Sequence, residues 1–206
     1  MAVTKVCHPL LEHSLGVLRD ARTGAAAFRQ HAALVSRILL VEATTRLNLA
    51  EQPIETPLEA MTARRLAEEV VFVPVLRAGL GMLLAAQDFL PGAAVGFIGL
   101  ERDEKTAEAH GYYKKLPRLT AAHQVFVLDP MLATGGSIVS TVEAVLAAGG
   151  RNCTLVCVVA APEGIALVEE RFGDVQIVTG AIDSHLNEHK FIVPGLGDFG
   201  DRYFGT

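Results

Sequence analysis

The segment Asp129-Pro-Met-Leu-Ala-Thr-Gly-Gly-Ser137 concentrates the residue types that can do chemistry. A carboxylate, Asp129, ends the apolar run Gln124–Leu128, and small residues follow. From Ser137 a helical pattern begins, with Ile138, Val142, Val145 and Leu146 on one side. At a helix start the unpaired backbone N–H groups and the helix dipole favour an anion. The adjacent Gly135 and Gly136 let the main chain close around a phosphate without Cβ clashes. Thr134 and Ser137 add hydroxyl donors, and Asp129 is placed to accept hydrogen bonds from sugar hydroxyls or to touch a metal's water shell. The segment is not a Walker A loop, because G-x-x-x-x-G-K-[ST] occurs nowhere in the chain. Its outline alone also fits, less well, an ordinary strand–turn–helix with a glycine turn and a serine cap.

The elements that must position this segment are read from hydrophobic periodicity. Phe28, Ala32, Val35 and Leu39 fall on one stripe of a 3.6-residue repeat and predict a helix over Thr23–Leu49, with Thr23 as N-cap. The prolines of Gln52–Pro57 break it, and a second helical stretch is expected at Leu58–Glu69. Strands are expected at Val70–Leu76, Ala94–Leu100, Gln124–Leu128, Thr154–Ala160 and Val175–Thr179. Between them, helices are expected at Ala78–Phe89, Ser137–Ala148 and Glu163–Phe172. Apolar runs without alternation, separated by amphipathic helices, predict an α/β domain with an open, mostly parallel sheet flanked by helices. Ligands of such sheets bind beyond the carboxyl ends of the strands, so the residues following Leu76, Leu100 and Leu128 become candidates. With no internal repeat or linker, residues 1–206 read as one domain, in which about 1–50 and 182–206 form a small hood.

Asp129–Ser137 resembles the phosphoribosyl diphosphate (PRPP) loop of the uracil phosphoribosyltransferases. Three more segments agree in the family's order: Pro74-Val-Leu-Arg-Ala-Gly-Leu-Gly-Met82, Tyr112-Tyr-Lys-Lys-Leu-Pro117, and Ile192-Val-Pro-Gly-Leu-Gly-Asp198 with Gly200-Asp-Arg-Tyr-Phe-Gly-Thr206. The resemblance runs from about residue 53 to the end. It implies a type I phosphoribosyltransferase fold and transfer of phosphoribosyl from PRPP to N1 of uracil, yielding UMP and diphosphate. By the same resemblance Asp129, Pro130, Met131, Leu132, Ala133, Thr134, Gly135, Gly136 and Ser137 hold the ribose and its 5′-phosphate. Arg77 and Arg102 contact the pyrophosphate, and Asp198 lies on the PRPP and metal side. Ile192, Gly197, Asp198 and Phe199 read uracil, largely through main-chain groups. The implied cofactor is Mg²⁺, held through PRPP and water with no firm protein ligand. A homodimer or tetramer is expected, and GTP activates some members. An arginine fork and Mg²⁺ suit the departure of a multiply charged pyrophosphate. The long polar stretch 101–123 reads as a lid.

The sequence departs from the family's pattern at four places. Glu101 stands where an aromatic residue is usual, Ala107–Gly111 lacks a proline, Phe191 replaces a tyrosine, and Phe199 replaces a small residue. The bulky ring of Phe199 is expected to reshape the base pocket.

Composition narrows the rest. Of 206 residues, 50% are hydrophobic and 20% charged, which excludes intrinsic disorder. No apolar run reaches the roughly 18 residues of a membrane span. The start lacks a signal-peptide layout, so a cytoplasmic location is expected. The net charge of −5 argues against a nucleic-acid partner. Cys153 and Cys157 read as small core residues rather than ligands or a disulfide. Gly195-Leu-Gly-Asp-Phe-Gly200 satisfies G-x-G-x-x-G, but the chain ends before the helix and acidic residue that a dinucleotide site needs. His185 and His189 lack the H-E-x-x-H context of a metal pair and read as surface residues. The alternative function is a catalytically weak PRPP- or nucleotide-sensing regulator on the same fold, which tight, salt-sensitive nucleic-acid binding would reveal.

Overall fold

Strands covered on both faces have no reason to alternate polar and apolar residues, and the apolar runs in this chain form such strands. The computed structural model describes residues 3–102 and 109–206, leaving aside the side chains at 101, 102, 109 and 110. In chain order the elements are β1 (Val3–Lys5), α1 (Pro9–Arg19), α2 (Ala25–Ala43), β2 (Leu49–Glu55), β3 (Ala60–Leu66), β4 (Glu69–Leu76), α3 (Leu80–Phe89), β5 (Ala94–Val95), β6 (Phe97–Arg102) and β7 (Ala109–Lys115). There follow β8 (His123–Leu128), β9 (Met131–Leu132), α4 (Gly136–Ala147), β10 (Asn152–Ala160), α5 (Pro162–Arg171), β11 (Gln176–Ile182), β12 (His185–Leu186), β13 (Ile192–Val193) and α6 (Phe199–Phe204).

Among the described residues, nine strands join one sheet in the order β1-β11-β10-β8-β4-β6-β7, with β5 beside β4 and β9 beside β10. All pairs are parallel except β6–β7. From β4 the chain crosses to β6 on one side; from β8, the other neighbour of β4, it crosses to β10 on the opposite side. The sheet therefore switches direction between β4 and β8, where a crevice opens beyond the strand ends. The loops beginning at Arg77 and Asp129 flank that crevice.

The period of two divides each strand between two cores. Phe72, Phe126, Leu128, Val156 and Val158 pack with α1, α2, α3 and α6, notably against Leu11, Phe28, Leu39 and Met82. Val71, Val73, Val75, Val125, Val127 and Leu155 face Ile138, Val142 and Val145 of α4 and Val168 of α5. Cys153 and Cys157 belong to this second core, and burial pushes their thiols up to about 11 and about 12.

The structure differs from the periodicity reading in the first third of the chain. The stretch Leu58–Glu69 is not helical; β2 and β3 form an antiparallel hairpin in register from Leu49↔Leu66 to Glu55↔Ala60. The Thr56 hydroxyl accepts the N–H groups of Leu58 (3.2 Å) and Glu59 (3.0 Å), closing the turn around Pro57. Thr23 does not cap α2, since its hydroxyl donates to the Val17 carbonyl (2.7 Å) and Gly24 takes the cap position. The helix ends at Ala43 rather than Leu49, where Thr44 and Thr45 bond back to the Leu40 and Glu42 carbonyls. Periodicity missed β1 and α1. Pro9 opens α1, and His8 Nδ1 accepts the Leu10 N–H at 3.1 Å.

The first fifty residues do more than a hood requires, because β1 extends the sheet beside β11 and α1 and α2 cover one of its faces. From Asp183 onward the β12–β13 pair and α6 stand over the carboxyl ends of the strands. Residues 103–108 of the expected lid, Ala107 among them, lie outside the described residues; within the rest of the stretch β6 ends at Arg102 and β7 pairs back onto it.

Candidate active site

A cleft of about 280 Å³ opens at the switch point, between the loops after β4 and β8 and the segment Lys190–Gly200. Met131, Leu132, Ala133, Thr134, Gly135 and Ser137 of the glycine loop line it, with Asp129 at its base. Gly135 sits at the N-cap of α4 with φ +87°, and no side chain caps that helix. A Cβ on Gly135 would come 3.0 Å from the Gly164 carbonyl and 3.2 Å from Leu167, so its glycine is demanded by backbone conformation and by contact with α5. A Cβ on Gly136 would meet only Thr134 Oγ1, at 3.9 Å, so the space over the helix start is open. The first turn of α4 thus presents uncapped N–H groups and a helix dipole to open space, the arrangement that receives a phosphate.

Asp129 is 8% exposed, and its Oδ1 accepts the Met131 N–H at 3.3 Å. Pro130 is buried and does not line the cleft; its carbonyl accepts the N–H groups of Val158 (3.0 Å) and Val159 (3.1 Å). These bonds tie the carboxyl end of β8 to β10 and fix the elbow from which the loop departs. Gly164, which the sequence reading passed over, supports the same loop: a Cβ there would lie 2.4 Å from the Ala133 carbonyl.

Arg77 follows β4 across a cis Leu76–Arg77 peptide and is exposed at the cleft. Its Nη2 donates to Asp201 Oδ1 at 3.3 Å. Gly79 lets this turn approach β8, since a Cβ there would stand 2.4 Å from the Leu128 carbonyl. Arg102 closes β6, but its side chain lies outside the described part of the structure, as does that of Glu101.

The third wall is the segment after β12. Ile192, Gly197, Asp198 and Phe199 all line the cleft, beside Phe191. The Val193–Pro194 peptide is cis, and Gly195 and Gly197 take φ +61° and +77°. The Asp198 carboxylate accepts the Asp201 N–H at 2.8 Å and caps α6. Phe199 corrects the expectation of a ring reshaping the base pocket. It is 1% exposed, edge-on to Phe28 (5.2 Å between centroids) and stacked on Tyr203 (5.7 Å). Arg202, also passed over, donates to the carbonyls of Leu18, Leu196 (2.7 Å) and Asp20 (2.7 Å) and lies 4.6 Å over the Phe28 ring. The orphan carbonyls at the end of α1 and the segment lining the cleft therefore share one guanidinium.

One cleft thus joins an uncapped helix start, an arginine, two carboxylates and the segment Ile192–Gly200 with its glycine turns. The model of the uracil phosphoribosyltransferase family matches residues 5–206. This chain belongs to the uracil phosphoribosyltransferase family. A family member from Agathobacter rectalis is 47% identical over 200 residues, covering 97% of this chain and 96% of the relative. The solved AQ2163 protein of Aquifex aeolicus superposes with a TM-score of 0.95 at 38% identity, covering 100% of this chain and 99% of that one. A hypoxanthine-guanine phosphoribosyltransferase from Bacillus anthracis shares the fold at 12% identity, with a TM-score of 0.51 over 75% of this chain and 78% of its own. The open, mostly parallel sheet is thus the type I phosphoribosyltransferase fold. Family membership extends over the first fifty residues, where the sequence motifs were silent.

Proposed function

We propose that the chain transfers phosphoribosyl from PRPP to N1 of uracil, releasing UMP and diphosphate. The observation that carries this reading is the shared cleft: the uncapped start of α4 and the main-chain wall Ile192–Phe199 face one space with Arg77 beside it. The first turn of α4, with Thr134 and Ser137, receives the 5′-phosphate. Asp129 accepts hydrogen bonds from the ribose hydroxyls. Arg77 and Arg102 hold the pyrophosphate, where a guanidinium fork suits paired phosphate oxygens. Ile192, Gly197, Asp198 and Phe199 read the base. Uracil presents an N–H flanked by two carbonyls, which main-chain donors and acceptors can distinguish from cytosine.

Mg²⁺ completes the reading as cofactor. Among the described residues no group of three or more His, Cys, Asp and Glu side chains could hold a metal. The carboxylates Asp129 and Asp198 at the cleft fit an ion that keeps several waters and binds mainly through substrate phosphates. When bound, it neutralises charge on the leaving pyrophosphate. As the ribose C1–O bond to the pyrophosphate lengthens ahead of bond formation to uracil N1, the sugar gains positive charge, and exclusion of water by the walls of the cleft protects it from hydrolysis.

A homodimer or tetramer is part of the proposal. It is supported by the β2–β3 hairpin, where Leu49, Leu58, Met61 and Leu66 are exposed and which is marginal in water as an isolated pair of strands. GTP as activator rests on the family resemblance, and a cytoplasmic location on the character of the N-terminal residues and the cysteines; no described helix is long and apolar enough to cross a membrane. Incubation with PRPP, Mg²⁺ and, separately, uracil, cytosine, hypoxanthine and guanine tests the reading. UMP from uracil alone is expected. Nucleotide from another base, or from none, refutes it.

A further inference from the structure

The wall read as facing the base turns through Gly195 and Gly197, both at positive φ, so something behind it must hold its shape. Arg19, the last residue of α1, and Asp183, just past β11, meet there although 164 residues separate them. Arg19 Nη1 and Nη2 fork onto Asp183 Oδ2 (2.8 Å) and Oδ1 (2.6 Å). The same Nη1 donates to the Gly195 carbonyl at 2.6 Å, and the Gly195 N–H donates to Asp183 Oδ2 at 2.9 Å. Both polar groups of one residue's backbone are thereby held by one ion pair. The Asp183 N–H donates in turn to the Ala160 carbonyl (2.8 Å), anchoring the pair to the end of β10. The side chain of Asp183 is 5% exposed and that of Arg19 25%.

Gly195 is the point at which this hold is most effective. Its φ is +61°, and a Cβ would fall 2.1 Å from the Ile192 carbonyl, so the chain turns back on itself there. Two residues later Gly197, also at positive φ, reaches the cleft. Neither Arg19 nor Asp183 lines the cleft. We propose that Arg19 and Asp183 are positioning residues for the base: they fix the Gly195 turn and so set how tightly and how selectively the main chain of Gly197–Phe199 receives uracil. This rests on the reading of Ile192–Phe199 as the base-binding wall. A pair that merely tied α1 to the sheet would affect stability and every substrate alike. A pair that positions the wall affects the base and largely spares PRPP, whose 5′-phosphate site is built on α4 and whose Asp198 carboxylate is held separately, by capping α6.

The test uses the full chain with Asp183→Asn, which keeps the shape and removes the charge, and Arg19→Lys, which keeps the charge and removes the fork. At saturating PRPP and Mg²⁺, Asp183→Asn is expected to raise the KM for uracil at least tenfold and to narrow the preference for uracil over cytosine. Arg19→Lys gives a smaller change in the same direction. The Kd for PRPP, measured by calorimetry without base, stays within twofold for both. Uracil KM and PRPP Kd rising together, or neither moving, overturns the proposal. Hydrogen exchange on the wild type keeps the test open should a variant fail to fold. The Gly195 amide is expected to be the slowest between Ile192 and Asp198, and exchange as fast as its neighbours overturns the clamp. Absence of UMP from the wild type would instead remove the functional reading, leaving the exchange measurement to judge the clamp by itself.

Discussion

Replacing Phe199 by alanine separates a ring that serves the base pocket from a ring that serves the core. Phe199 packs edge-on to Phe28 and stacked on Tyr203, and its Cε1 lies 2.9 Å from the point where a Cβ on Gly81 would stand. The ring therefore joins α6 to α2 and α3, with close neighbours on three sides. Truncating a fully buried phenylalanine costs about 3–5 kcal/mol, because the lost transfer energy is joined by a cavity that rigid surroundings fill only partly. Loss of two aromatic pairs places this site toward the upper half of that range. In a chain of this size each kcal/mol lowers Tm by about 2–4 °C, so a fall of about 8–20 °C is expected. Differential scanning calorimetry of wild type and Phe199→Ala reads the shift. Uracil kinetics, run well below the variant's Tm, are expected to worsen, because the ring packs beneath the segment Gly197–Gly200 that lines the cleft. A Tm within 2 °C of wild type, with uracil turnover unchanged or improved, would refute the placement of the ring in the core.

Other expectations follow from the same geometry. Asp198→Asn keeps an N-cap residue on α6, so Tm stays within about 3 °C, while UMP formation falls at least a hundredfold; near-wild-type turnover would remove the carboxylate from the chemistry. Gly135→Ala forces a side chain into positive φ against α5 and is expected to cost about 1–3 kcal/mol and to weaken PRPP binding. Gly136→Ala, whose Cβ enters open space, is expected to leave Tm unchanged or raise it, and equal destabilisation by both would contradict the conformation of the loop. Native protein at pH 8 is expected to expose one thiol, Cys7, to a disulfide reagent and three after unfolding. Cys153 and Cys157 have folded pKa values raised by burial, so the stability they retain is complete below the ordinary thiol pKa near 9. That stability is lost as pH rises toward about 11 and 12, and Cys157→Ala should flatten the alkaline decline.

The parts of the fold that were legible in the sequence are those in which one local signal had one physical cause. Val70–Leu76 and Gln124–Leu128 read as buried strands because a parallel sheet covered on both sides leaves no polar alternation. Asp129–Ser137 was legible as a turn from a strand into a helix, because adjacent glycines after an apolar run mark where the backbone must turn. The β2–β3 hairpin was not, since its residues are mostly exposed on both faces and leave no stripe to read. Phe199 looked like a pocket residue by position in a motif, and only the packing of Phe28 and Tyr203 shows the ring committed to the core. The pairs Arg19–Asp183 and Arg77–Asp201 join residues 164 and 124 positions apart, and a single sequence carries no local mark of such contacts.

The most direct test of the account is a crystal structure of the protein with UMP and diphosphate. It is expected to show the 5′-phosphate over the first turn of α4, within hydrogen-bond reach of the main chain at Gly135–Ser137. The uracil ring is expected against the main-chain groups of Ile192–Phe199, with Arg77 on the diphosphate. A phosphate bound away from α4, or a base held by side chains with the 192–199 wall empty, would contradict it.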